Sequence, residues 1–166
     1  QPLGADAETC LDRVMLRNVA KLKVNQVHYT AWCDDDGKLL DDGTLFRLGP
    51  QEFMICCQER HLPWFRDAAL GYDVTIEEIT EEIAALSLQG PCSFAVLEQA
   101  GFGEAASLKP FQIMRAPLGK KAELMISRTG FTGDLGYELW TSPDHALALW
   151  AKLFEAGKLQ GIRPIG

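Results

Sequence analysis

The chain has 166 residues, of which 47% are hydrophobic and 23% charged, with a formal net charge of −7; this is ordinary globular composition with enough length for a substantial core. The acidic balance excludes the basic field that captures nucleic acid, and no apolar run approaches the ~18 residues of a membrane span. The opening Gln1-Pro2-Leu3-Gly4 has no start Met and no signal pattern, and the close stops on an apolar Pro/Gly stretch, so the expectation is one domain, 1–166, cut at both ends.

In chain order, Ala5 to Arg17 reads as a helix with Cys10, Val14 and Met15 on its apolar face. Gln26 to Cys33 is predicted to be a strand, Asp34-Asp35-Asp36-Gly37 a turn, Thr44 to Leu48 a second strand and 52–57 a third. A helix is predicted over 59–70, ending at Gly71. Short strands follow at 74–76 and 83–88. Gln89-Gly90-Pro91 breaks the chain before a helix from Ser93 to Ala100. Phe111 to Ala116, Glu123 to Thr129 and Tyr137 to Thr141 are predicted strands. A last helix starts at Pro143, with Ser142 as its cap, and ends near Gly157. Many strands on short turns with irregularly interspersed helices indicate an α+β fold: a mainly antiparallel sheet with flanking helices.

The run "DDDGKLLDD" is not a calcium loop. With Gly37 at the sixth loop position, positions one and twelve fall on Trp32 and Gly43, and neither can serve as a ligand there. Asp41-Asp42 stands at the entrance of the strand that begins at Thr44. The pair is either a carboxylate site held near a sheet face or another turn with Gly43, and spacing leaves both readings open. His28, His61 and His145 share no metal-ligand spacing, and no metal is expected. The five cysteines (Cys10, Cys33, Cys56, Cys57, Cys92) form no C-x-x-C pair. An odd number of thiols fits a reducing cytosol, so a cytoplasmic location is expected.

"SRTGFTGDLGYELW", residues 127–140, has three evenly spaced glycines, but a strand follows them where a phosphate loop needs a helix N-terminus. The glycines are therefore expected to supply positive φ angles in a strand-to-strand connection. Glu138 then shares a strand face with Trp140. A carboxylate on a half-buried face needs donors. They could come from a ligand with two parallel N–H groups, such as a pterin, or from a salt bridge, for instance to Arg128.

The order of "VHYTAWCDDDGKLLDD", "LSLQGP", "SRTGFTGDLGYEL" and "LWAKLFEAGKLQGIRPIG" resembles the folate-binding part of the glycine-cleavage T-protein (aminomethyltransferase) superfamily over nearly the whole chain. The resemblance implies tetrahydrofolate as acceptor of a one-carbon unit from a small-molecule donor, with a carrier protein as partner in a true T-protein. It places the catalytic aspartate at Asp42 and the pterin-holding glutamate at Glu138. Tyr29 and Thr44 match pocket-lining positions. Phe131 stands where the family has tyrosine, Cys57 where the T-protein has asparagine, and Gly37-Lys38 where Gly-Gly is usual. Phe131 and Cys57 are counted among the folate-lining positions. The departures leave the donor open: relatives on this framework act on aminomethyl or methyl donors. Others bind folate in iron–sulfur maintenance without transferring anything, and a pure interaction domain is a further alternative.

Overall fold

The computed structural model describes residues 1–120 and 122–165. The chain divides into two compact units, Gln1–Ile79 and Thr80–Gly166, each with its own antiparallel sheet. The expected α+β architecture is present, with two sheets in place of one.

In the first unit the strands are β1 (Pro2–Leu3), β2 (Gln26–Cys33), β3 (Leu39–Gly49), β4 (Glu52–Cys57) and β5 (Thr75–Ile76), in the order β2-β3-β4-β1-β5. Helix α1 (Ala7–Val14) turns Ala7, Cys10 and Leu11 inward at the i, i+3, i+4 spacing of one helical face. That face and Phe65 of α2 (Leu62–Ala68) pack with Trp32, Leu45 and Phe53 of the sheet. Each fully buried side chain of this size contributes roughly 1.5–3 kcal/mol. Helix α2 is shorter than the predicted 59–70 and has Pro63 in its first turn, where a missing N–H costs nothing.

β3 begins at Leu39, five residues before the predicted Thr44. Asp-Asp-Gly reads as a turn because glycine and aspartate dominate turns. Gly43 serves a different need: a Cβ there would lie 2.2 Å from the carbonyl oxygen of Cys56. The glycine lets β4 approach closely, so Asp41 and Asp42 lie within a strand, paired with Trp32 and Ala31 of β2.

The second unit has β6 (Ala84–Gln89), β7 (Ile113–Leu118), β8 (Ala122–Ser127) and β9 (Gly136–Thr141), in the order β6-β9-β8-β7. Leu88, Leu124, Ile126, Tyr137 and Leu139 face α3 (Ser93–Gln99) and α4 (Pro143–Ala156), whose Val96, Leu97, Leu149 and Leu153 complete the core. β7 starts two residues later than predicted because Phe111 has φ 62° and cannot continue a strand. Ser142 precedes α4 without a side-chain capping bond.

Candidate functional site

Strand alternation puts Tyr29, Thr44 and Asp42 on one face of the first sheet. Tyr29 pairs directly with Thr44, and Asp42 lies two residues along β3. The Tyr29 hydroxyl donates to Asp42 Oδ2. Tyr29 is 49% exposed, so this pair faces open space. The hydrogen bond to Asp42, with burial and the carboxylate's charge, raises the Tyr29 pKa above its usual value, and the residue stays a donor at neutral pH.

Asp41 points to the other face and holds its neighbour in place. Its Oδ1 accepts from the Asp42 N–H at 2.8 Å, while Oδ2 meets His61 Nε2 at 3.0 Å and the Glu59 N–H at 3.3 Å. Burial pushes the Asp41 carboxyl up, but these donors together outweigh it and hold it below the ordinary carboxylate range. His61 in turn meets the Trp32 ring edge-on at 5.6 Å between centroids.

Cys57 lies on the core side too. It pairs with Gly43 in the ladder, packs against the buried cluster, and donates its thiol to Glu59 O at 3.2 Å. Burial, then the nearby charges of Asp41, Cys56 and Glu59, push it up to about 11. The sheet therefore brings Tyr29, Thr44 and Asp42 to one face and turns Cys57 to the other.

In the second unit Glu138 is flanked in the ladder by Ser87 and Ser127, on the face opposite the helices. The Trp140 indole N–H donates to Ser127 Oγ at 3.0 Å, Ser127 and Thr129 hydroxyls lie 2.7 Å apart, and Thr129 donates to Glu138 Oε2. No described residue donates to Oε1. The salt bridge to Arg128 is not formed: the Arg128 guanidinium donates to Leu108 O at 2.8 Å.

The loop between β8 and β9 is anchored by a residue that spacing did not single out. The Gln89 amide nitrogen lies 3.0 Å from Ser87 Oγ, 3.3 Å from Thr129 O and 3.4 Å from Tyr137 O, while its oxygen accepts from Thr132 at 3.3 Å. This side chain explains the glycines. Only Gly133 has the expected positive φ, 74°. A Cβ on Gly130 or Gly136 would lie 2.1 or 1.7 Å from Gln89 Oε1, so those two are small to make room for Gln89. Phe131, at the loop's outer side, is 97% exposed.

Sequence reasoning missed Gln89, Thr129, Ser127 and the Asp41–His61 pair. One available signal was the 127, 129 and 138, 140 alternation, which sets two hydroxyls beside a carboxylate and an indole that must find an acceptor.

Residues 3–166 match the GCVT N-terminal domain. An aminomethyltransferase of Halothermothrix orenii is 39% identical over 98% of this chain and 46% of that protein. One from Bacillus subtilis is 34% identical over 98% of this chain and 46% of its own length. A crystal structure of glycine cleavage system aminomethyltransferase T from Bartonella henselae superposes with a TM-score of 0.78 at 28% identity, covering 92% of this chain and 42% of that one. The chain spans about half the length of the curated relatives it matches. A match running through both sheets and both carboxylate-bearing strands shows that the chain belongs to the GCVT N-terminal domain family.

Proposed function

We propose that this chain supplies the folate-binding part of a protein that moves a one-carbon unit, aminomethyl or methyl, from a small donor to tetrahydrofolate. The observation that carries the reading is Glu138: one oxygen is fixed by Thr129, and the other is left as an acceptor with no donor among the described residues. A carboxylate so held suits the paired N–H donors of a pterin, and its second oxygen is not buried, so an incoming ligand can reach it. The aminomethyltransferase names of the relatives at 39% and 34% identity support the same class.

Tetrahydrofolate, when bound, supplies the nucleophilic nitrogen. Asp42, kept in orientation by Tyr29 on its Oδ2 and by Asp41 on its backbone N–H, would orient that nitrogen and stabilise positive charge during transfer. Tyr29 and Thr44 would line the pocket. Phe131 would offer an aromatic face that stacks without donating a hydrogen bond. Cys57 would act from the core side, as packing beneath the Asp41–Asp42 strand. In a glycine-cleavage setting a carrier protein would present the donor, and a cytoplasmic location would fit five cysteines that form no disulfide.

The test is calorimetry of the full-length protein with tetrahydrofolate, followed by a screen of amine, sulfonium and aryl-ether donors with mass detection of the folate product. Saturable binding and a folate product with added mass are expected. An absence of binding at high micromolar ligand would remove the folate reading, and binding without turnover would favour the non-catalytic alternative.

A further inference from the structure

Three polar side chains stand behind Glu138 in a part of the strand face that excludes water. Ser127 is 0%, Thr129 7% and Trp140 8% exposed. Their hydrogen bonds form a chain whose direction is forced. An indole N–H only donates, so Ser127 Oγ must receive from Trp140. A carboxylate only accepts, so the Thr129 hydroxyl proton is committed to Glu138 Oε2. Thr129 has then no proton left to give to Ser127, and the 2.7 Å bond between the two hydroxyls runs from Ser127 to Thr129. Each hydroxyl receives one bond and passes one on, and every dipole in the chain points its positive end at the carboxylate.

The network ends on a carboxylate whose second oxygen has no donor among the described residues and is not buried, so a ligand can reach it. Building on the pterin reading of Glu138 above, we propose that Thr129 and Ser127, polarised by Trp140, are positioning residues that fix Glu138 as a one-way acceptor and thereby select ligands with paired N–H donors. A ligand presenting a ring nitrogen lone pair at the same place would set acceptor against acceptor. The chain cannot reverse to relieve that clash, because its far end is an indole.

The experiment is a ligand-by-variant cycle in the full-length protein, read by calorimetry. The two ligands are tetrahydrofolate and its analogue lacking the 2-amino group. Wild type should prefer tetrahydrofolate by about tenfold or more, the loss expected for one hydrogen bond to a charged acceptor. Thr129→Val should lose most of that preference while its denaturant midpoint shows a folded protein. Thr129→Ser should restore the preference, and Ser127→Ala, one bond further from the carboxylate, should narrow it by less than Thr129→Val. If Thr129→Val does not fold, the Ser127→Ala and Thr129→Ser arms decide alone: full preference in Ser127→Ala would overturn the proposal. So would a Thr129→Val protein that binds both ligands as wild type does, or that weakens both by the same factor. Failure of wild type to bind tetrahydrofolate would remove the folate reading together with this inference. Binding that is lost in Glu138→Ala with a flat Thr129 cycle would leave the folate reading standing and remove the relay alone.

Discussion

Gly136→Ala tests how the two most distinctive motifs of this chain depend on each other. The added Cβ would meet Gln89 Oε1 at 1.7 Å and Cδ at 2.3 Å, far inside any tolerable separation, so the Gln89 amide must leave. Its two N–H groups serve acceptors at 3.0 to 3.4 Å and its oxygen accepts from Thr132 at 3.3 Å. Three such bonds at about 1 kcal/mol each, reduced for their partial exposure, give a loss of about 2 kcal/mol. Gln89→Ala removes the same bonds without the collision and should cost a similar amount. The double variant should then cost little more than either single one, a coupling of at least about 1 kcal/mol. Urea unfolding of the full-length protein and its three variants measures this directly. Strict additivity would refute the claim that Gly136 is small because of Gln89. Gly133→Ala is the internal control: it has open space around its Cβ, and its cost should come from its φ of 74° alone and be unaffected by Gln89→Ala.

Asp42→Asn should lower turnover by roughly 100-fold with a much smaller change in folate affinity, since charge stabilisation during transfer is lost while shape is kept; unchanged steady-state turnover would take Asp42 out of the chemistry. Glu138→Ala should weaken tetrahydrofolate binding by roughly 2–4 kcal/mol, and an unaltered dissociation constant would show that no charge-assisted pair is made there. His28 carries an Nδ1 without a partner among the described residues, and burial, then Arg17, lowers its pKa from 6.5. The unfolded chain therefore takes a proton near pH 6.5 that the folded one refuses, and stability should fall as pH drops below 6.5 towards the lower folded value. His28→Gln should flatten that part of a urea-midpoint profile, whereas the Asp41 contribution, with its folded pKa below 3.8, should be lost only in stronger acid. Alkylation at pH 8 should modify the exposed Cys92 at least about tenfold faster than Cys57, whose thiol is pushed up to about 11; equal rates by peptide mass analysis would contradict its core placement.

Much of this molecule is legible residue by residue. Period-two and period-3.6 patterns place most strands and helices, and the alternation along 137–141 sets Glu138 and Trp140 on a common face before any coordinates are known. The spans that shifted did so where one residue answered to a distant neighbour. Gly43 reads as a turn until Cys56 is placed against it, and Phe111 reads as a strand residue until its backbone turns to φ 62°.

Sequence by itself determined the α+β class, the acidic surface charge, and the two carboxylates worth testing, because these follow from composition, local periodicity and motif order. Tertiary structure alone decided what those carboxylates touch. The Trp140–Ser127–Thr129–Glu138 chain joins two strands, Gln89 reaches beneath a loop 40 residues away in sequence, and Asp41 and Cys57 turn to the core while Asp42 stays with Tyr29. Local pattern says which face a side chain takes. Only the pairing of segments far apart in the chain says which donor it meets there: Thr129 in place of the Arg128 guanidinium, which goes to Leu108 O instead.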